Sequence, residues 1–554
     1  MGTVSAEIPG LMQKKQFNVI NVLQHAALWH ADVEVVTNSV EGGIHRIGYA
    51  KLYDRTSQLA NALIRLDVKA GDRIGTMAWN TWRHMECWYG LSGIGAIYHT
   101  LNPRLFPDQI EYIANHAKNR FIFVDSSFVP VIANVLDKLP LLEGLIVMTD
   151  KKHMTDDMHK IGIPVYCYEE LLETEGSDFI WPLLREDTAS SLCYTSGTTG
   201  NPKGVLYSHG SNINHAMVTV HGDMFNLCAR DSFLLIVPMF HVNGWGLPYS
   251  VPMVGGKLVL PGPHMDGKSL YDLIQAENCN KTCGVPTIMT ILIDHLDDNS
   301  LEIPSMNDVY IGGSAVPQSM IEGFETRYDV DVLHGWGMTE MGVGTFNCSL
   351  PFMDELNFEQ RMKIRCKQGR PAFGLEMKII DDEGNSLPHD GIAFGKLMVR
   401  GPRVVERYYR AKESALDSEG WFDTGDVATI DNYGFMQITD RAKDIIKSGG
   451  EWISSVDIEN TAVGHPEVQI AACLGVKHVK WEERPLLIVV KKEGCDPSKT
   501  SILDIISSEH AKWQLPDDVV FIDEMPLTAT GKIDKKPLRI KYENYLMEGA
   551  SYGQ

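Results

Sequence analysis

The segment Tyr194–Val205, YTSGTTGNPKGV, gathers Gly197, Gly200 and Gly204, the hydroxyls of Thr195, Ser196, Thr198 and Thr199, and the cation of Lys203. Glycines let a backbone turn tightly and bring its N–H groups against an anion, while hydroxyls and a lysine add donors and charge. This is the chemistry of a loop that grips phosphate, and it points to a nucleoside triphosphate. The Walker pattern GxxxxGK[ST] is not met. Pro202 precedes Lys203 and Gly204 follows it, so the hydroxyl that would hold Mg²⁺ is missing from its usual place.

Other segments carry complementary chemistry. In His334–Glu340, HGWGMTE, Gly335 and Gly337 flank Trp336, as expected where backbone passes close to a planar ring. Thr339 offers a hydroxyl and Glu340 a hard oxygen ligand, both suited to a phosphate–Mg²⁺ pair. Taken alone, the segment reads first as a glycine-rich turn with an exposed Glu340. Gly420–Asp426, GWFDTGD, ends in a carboxylate able to accept from both hydroxyls of a ribose, or to close an Asx-type turn. Asp440–Ser448, DRAKDIIKS, carries Arg441 and lysines, and Pro526–Lys532, PLTATGK, is a Thr/Gly turn that presents Lys532.

These segments need a scaffold. Helical patterns occupy Phe17–Ala31, Tyr49–Leu66, Gln109–Ala117 and Phe128–Leu139. Strand-like runs alternate with the helical stretches at Arg73–Trp79, Phe121–Val124, Leu145–Met148, Ser191–Tyr194, Phe233–Pro238, Lys257–Leu260 and Asp308–Ile311. Such alternation predicts an α/β body of largely parallel sheets. Glu376–Arg400 offers two strands about the turn Asp382–Asn385 and reads as a small barrel-like β subdomain. The pattern changes at Asp440–Lys443. Residues 1–439 are expected to form the body, 440–443 a hinge at Lys443, and 444–554 a small mobile α+β lid running helix, strand, helix up to Asp518.

A chain of 554 residues is too long for one core. Its formal charge of −22 disfavours nucleic acid and anionic membrane as partners. Among ten cysteines only Cys279 and Cys283 lie close together, without a second pair at zinc-like spacing, which favours free thiols in a reducing cytoplasm. No secretory segment or bilayer-length apolar run is visible, so a cytoplasmic location is expected.

The ordered set YTSGTTGNPKG, MFHVNGWG, GGSAVP, HGWGMTE, WFDTGD, DRAKDIIKSGGEWIS and PLTATGKI resembles the acyl-adenylate-forming superfamily, from about Tyr49 to Lys536. The resemblance implies Mg²⁺ as cofactor, with ATP and coenzyme A as co-substrates. It assigns the β/γ-phosphates to Thr195, Ser196, Gly197, Thr198, Thr199, Gly200 and Lys203, and Mg²⁺ to Thr195 and Glu340. It gives the α-phosphate to Thr339, the adenine wall to Gly313, Ser314, Ala315, Gly335 and Trp336, and a place in the ATP site to Gly337. Asp426 and Arg441 fall on the ribose, and Lys532 on the adenylation lysine. Gly312, Trp245, Trp336 and His241 fall on the acyl end, with His241 expected to position the carboxylate rather than exchange protons. A lid turning about Lys443 would then bring Ser448, Gly449, Gly450, Glu451 and Trp452 to coenzyme A.

Within that superfamily WNTWRHMECWYG, HTLNPRLFPDQI, MFHVNGWGLPY, KSGGEWISSVDIEN and KWQLPD are similar to bacterial medium- and long-chain fatty acyl-CoA synthetases, a branch that also holds 3-methylmercaptopropionate-CoA ligases. A medium-chain fatty acid is the favoured substrate, because a bulky Trp336 beside the carboxylate pocket would shorten it. A 3-methylmercaptopropionate-CoA ligase and a carrier-protein-loading adenylation enzyme are the alternatives. The branch also implies a homodimer through the N-terminal region.

Overall fold

The structure, a computed structural model, describes residues 11–195, 201–441, 444–448, 451–528 and 532–547. Two largely parallel sheets carry the body. The first runs in the order Val165–Cys167, Gly144–Val147, Asn119–Val124, Arg73–Met77, Ile97–Thr100, Ala189–Tyr194 and Gly204–Ser208. Only its final pair is antiparallel among these strands. The second has a parallel centre of Asp331–Met338, Asp308–Gly312, Lys281–Gly284, Ser232–Leu235, Lys257–Leu260 and Glu34–Asn38, flanked by antiparallel Gly342–Phe346 and Arg370–Pro371 on one side and Ile44–Gly48 on the other. Central strands such as Gly144–Val147 are buried at every position. Continuous apolar runs are what burial on both faces demands.

The helix Trp82–Gly93 is also buried throughout, and the Thr81 hydroxyl caps it by accepting from the His84 N–H at 3.3 Å. One apolar cluster takes Ile74 and Phe123 from the first sheet, Phe233 and Leu258 from the second, and Leu52, Leu59, Trp88 and Leu91 from helices. A helical layer is therefore held between the sheets. The charges it carries inward are paired: Arg55 with Glu86 at 2.6 Å and Arg83 with Glu169 at 2.7 Å. Pairing is the condition for tolerating buried charge.

The expected barrel-like subdomain is a four-stranded antiparallel sheet of Glu376–Ile380, Phe394–Arg400, Phe422–Ile430 and Met436–Arg441. Its last two strands set Asp426 opposite Arg441. In the C-terminal unit, the antiparallel strands Glu451–Ile453, Ile446–Ser448, Glu482–Lys491 and Val468–His478 are joined by Asp518–Phe521, parallel to Glu482–Lys491. Alternate residues of Val468–His478 divide between two clusters. Ala471 and Cys473 join Ile458 and Ile502, whereas Ala472 and Leu474 join Leu538 and Tyr542. The period of two thus puts helices on both faces of this sheet.

Three expectations change. Phe128–Leu139 is not one helix but Val129–Ala133 between short 3₁₀ turns at Ser126–Phe128 and Leu136–Lys138. Its β-branched Val129, Val131, Ile132 and Val135 are poor helix formers. The C-terminal unit has two long strands where one was expected between its helices. His334–Met338 continues the strand Asp331–Met338 rather than turning. Cys279 and Cys283 are buried free thiols, and no group of three or more His, Cys, Asp or Glu side chains suited to a metal occurs among the described residues.

Candidate active site

The expected phosphate loop rises from the hairpin of Ala189–Tyr194 and Gly204–Ser208. Ser196, Gly197, Thr198, Thr199 and Gly200 lie outside the described residues. At the neck, the Thr195 N–H donates to the Lys203 carbonyl at 2.9 Å, and the Lys203 N–H donates to the Thr195 hydroxyl at 3.2 Å. A side chain at Gly204 would press on Tyr194 and Tyr409, each 3.1 Å from its Cβ position. Lys203 Nζ stands 4.7 Å from the centre of the Tyr408 ring, whose hydroxyl donates to Glu340 Oε1 at 2.7 Å. Thr195, Lys203 and Glu340 are thereby linked through one tyrosine. Burial raises the Glu340 carboxyl pKa, opposed by the Tyr408 hydrogen bond and by the charges of Arg441 and Lys203. A carboxylate is the hard-oxygen type of donor that Mg²⁺ takes. Tyr207 donates its hydroxyl proton to the Thr339 carbonyl.

Asp426 is 1% exposed. Trp336 Nε1–H donates to its Oδ2 at 3.0 Å, and Arg441 Nε lies 2.9 Å from its Oδ1. That second contact is an ion pair without hydrogen-bond alignment, so Oδ1 is a buried acceptor with no donor among the described residues. A ligand hydroxyl would satisfy it. Burial raises the Asp426 pKa, with Arg441, Trp336 and Lys532 acting in the opposite direction. Trp336 sits among Val205, Met341, Leu375 and Phe422, and through its hydrogen bond it belongs with Asp426.

Lys532 enters from the C-terminal unit. Its Cε lies 3.6 Å from where a Cβ on Gly313 would stand, and Gly313 has a φ of +88°. Burial, and next Arg441, lower the Lys532 pKa to about 8 against the pull of Asp426. Gly312 pairs in register with Gly335, and a Cβ on it would come within 2.8 Å of the Gly335 carbonyl oxygen and 3.3 Å of the Trp245 ring. Burial, then the charge of Lys532, hold the pKa of His241 down to about 3. A neutral imidazole suits positioning and cannot serve as a proton donor of ordinary strength.

His241 and Trp245 are aimed by an unusual turn. Val242, Asn243, Gly244, Trp245 and Gly246 have successive φ values of 38°, 38°, 51°, 54° and 77°. Left-handed backbone is costly for L residues, above all for β-branched valine, and such strain gathers at functional sites.

The glycines flanking Trp336 answer to the chain itself. A Cβ on Gly335 would meet the Phe346 ring at 2.3 Å, and one on Gly337 the Gly342 carbonyl at 2.4 Å. Ser314 is exposed and Ala315 partly so. The residues expected at coenzyme A stand apart from this group of contacts. Ser448 is buried and accepts from Arg484 Nη1 at 3.2 Å, and Glu451 and Trp452 belong to the strand Glu451–Ile453. Gly449, Gly450 and Lys443 lie outside the described residues. Beside Lys443, Asp440 Oδ2 accepts from the Ser455 N–H at 2.7 Å, while Lys535 reaches the Ser455 hydroxyl and Glu459, each at 2.6 Å. Sequence reasoning missed Tyr408, Tyr207 and Lys535. Their contacts join residues 68, 132 and 80 positions apart, and no local pattern marks them.

Two α/β sheets, a third antiparallel sheet and a small C-terminal unit are a build shared with solved adenylate-forming enzymes. The anthranilate CoA ligase AuaEII, solved with anthranoyl-AMP, shares the fold at a TM-score of 0.84 and 24% identity, over 95% of this chain and 98% of that one. Residues 23–409 match the AMP-binding enzyme family and residues 457–532 the AMP-binding enzyme C-terminal domain. The chain belongs to the AMP-binding enzyme family. It is 46% identical to the 3-methylmercaptopropionyl-CoA ligase of Ruegeria lacuscaerulensis, over 97% of this chain and 99% of the relative. It is 44% identical to the medium-chain-fatty-acid–CoA ligase of Ectopseudomonas oleovorans, over 98% and 99%. No helix among the described residues is long and apolar enough to cross a membrane.

Proposed function

We propose that the protein is an AMP-forming acyl-CoA synthetase. A carboxylate oxygen attacks the α-phosphorus of ATP, the bond to diphosphate breaks, and acyl-AMP forms. The sulfur of coenzyme A then attacks the acyl carbonyl carbon, AMP leaves with the former carboxylate oxygen, and the thiol proton passes to solvent. The observation that carries this reading is the convergence of Lys532 on Gly313, within electrostatic reach of Asp426, Arg441 and His241. An ammonium there offsets the charge that builds when one anion attacks another, so it stabilises the transition state more than the ground state.

In this proposal Asp426 accepts the ribose hydroxyls, Arg441 stands beside it, and neutral His241 orients the carboxylate. Thr339 meets the α-phosphate, and Gly313, Ser314 and Ala315 back the adenine. Thr195 and Glu340 would hold Mg²⁺, which when bound screens the triphosphate charge. Ser448–Trp452 would meet coenzyme A after the lid, residues 444–554, turns about Lys443. A medium-chain fatty acid and 3-methylmercaptopropionate are the first acids to test, following the relatives. The reading includes a cytoplasmic homodimer, and exposed Leu28 and Trp29 on the first helix supply apolar surface for the dimer contact.

Acid-dependent exchange of diphosphate into ATP without coenzyme A tests the reading. Exchange is expected with at least one acid of a panel from three carbons to long chains, and acyl-CoA with AMP once coenzyme A is added. An absence of exchange across the panel would refute it. Light scattering of the purified protein at twice the chain mass would support the dimer.

A further inference from the structure

One short segment ties together the two ends of the expected triphosphate site. The Val405 N–H donates to the Glu340 carbonyl at 2.7 Å, and the Tyr409 N–H donates to the Gly204 carbonyl at 2.8 Å. Between these two staples stands Tyr408. Its hydroxyl donates to Glu340 Oε1 at 2.7 Å, and Lys203 Nζ lies over its ring, 4.7 Å from the centre. Tyr408 is half-buried and packs against the cluster of Val205, Trp336 and Met341, so the position of its ring is set by the core that also seats Trp336. Glu340 is 8% exposed.

The charge of Lys203 acts on the Glu340 carboxyl. A lysine on a flexible four-carbon stem pairs readily with a buried carboxylate, and such a pair would have to break before the cation could take a phosphate and the carboxylate a metal. Tyr408 touches both partners and answers each separately. Its hydroxyl satisfies one carboxylate oxygen without cancelling the charge, and its π face holds the ammonium by an attraction weak enough to yield to a phosphate. We propose that Tyr408 is a positioning residue for Mg·ATP: the hydroxyl keeps Glu340 in place for the metal, and the ring keeps Lys203 off that carboxylate and available to the β- and γ-phosphates. The inference rests on the synthetase reading and deepens it, giving one residue two separable duties in ATP binding.

The test measures binding of Mg·ATP and of AMP by calorimetry, without acid or coenzyme A. AMP lacks the metal and the β- and γ-phosphates, so it reports the rest of the site. Tyr408→Phe keeps the ring and loses the hydroxyl. Its Mg·ATP affinity should fall by about tenfold or more, as for groups that orient metal ligands, with AMP affinity held within about twofold. Tyr408→Leu also loses the π face and should weaken Mg·ATP by a further factor of about two to five. In a Glu340→Gln background Tyr408→Phe should change Mg·ATP affinity by less than about twofold, because the carboxylate it holds is gone. Equal loss of both nucleotides in Tyr408→Phe assigns the tyrosine to the fold alone and overturns the inference. So does a Mg·ATP affinity that Tyr408→Phe leaves unchanged, or a loss that persists beside Glu340→Gln. Tyr408→Leu binding as tightly as Tyr408→Phe overturns the duty of the ring. An unaltered protein that binds neither nucleotide refutes the synthetase reading itself, and this inference with it.

Discussion

At the scale of single residues, Lys532 sets a pH dependence. With its pKa lowered to about 8, the free enzyme loses the ammonium as pH rises through that value. The exchange reaction should therefore show an alkaline limb in kcat/KM, the ratio that reports the free enzyme. Lys532→Arg should carry the limb to higher pH, and a limb unmoved by that change would assign it to another group. Lys532→Ala should lower exchange by about 10²- to 10³-fold, while sparing much of thioester formation from preformed acyl-AMP.

Asp125 governs stability instead. Its Oδ2 accepts the Trp79 N–H at 2.7 Å, and burial raises its pKa from 3.8 to about 7. Between those values the folded state keeps a proton that the unfolded state has released, so stability falls as pH rises through the window. Asp125→Asn abolishes that titration. Its stability relative to the unaltered protein should rise from about pH 4 to about pH 7 in denaturant melts, and a constant difference would contradict the shift. Motif chemistry made Glu340, Asp426 and Lys532 legible because each sits in a short segment of distinctive composition. Tyr408 was illegible, because what makes it matter is the distant partner, Glu340, that folding supplies.

Among the elements, the left-handed turn Val242–Gly246 is the most demanding. A Cβ on Gly246 would lie 2.4 Å from His215 Nδ1 at a φ of 77°, whereas Gly43, at a φ of 79°, has open space. Gly246→Ala should cost about 1–3 kcal/mol and more than Gly43→Ala, the difference reporting the clash with His215 rather than backbone strain. Equal costs would remove His215 from the account.

The Lys535 contacts with Glu459 and Ser455 predict that Lys535→Met, which strands a mostly buried Glu459, costs up to about 3–5 kcal/mol. Hydrogen exchange should show lost protection over Ser455–Val463 while Arg73–Met77 is unaffected. Apolar runs such as Lys257–Leu260 were read at their true bounds because strands buried on both faces have little freedom in composition. Phe128–Leu139 misled because its apolar residues fit a helical period while their branching opposed a helix. The left-handed turn was invisible, since valine and tryptophan give no sign of positive φ.

For the whole molecule, one acid must serve in turn as the nucleophile towards ATP and, once activated, as the electrophile towards coenzyme A. Lys532 stands at Gly313, while Ser448 is buried against Arg484 in the C-terminal sheet. In the proposed cycle the C-terminal unit turns about Lys443 between the two steps. Lys443→Pro should leave exchange measurable and slow the overall reaction, and unchanged turnover would exclude a hinge there. The proposed two-part division rests on a change of sequence pattern at Asp440–Lys443. The packing that joins the parts was not legible there, since Asp440, Ser455 and Lys535 meet only in the folded chain.

The central claim is that a carboxylate oxygen attacks the α-phosphorus. Its most direct test is one full turnover with an acid labelled in both carboxylate oxygens with ¹⁸O, followed by mass spectrometry of the products. The account predicts one heavy oxygen in AMP and none in diphosphate. Unlabelled AMP, or label in diphosphate, would contradict it.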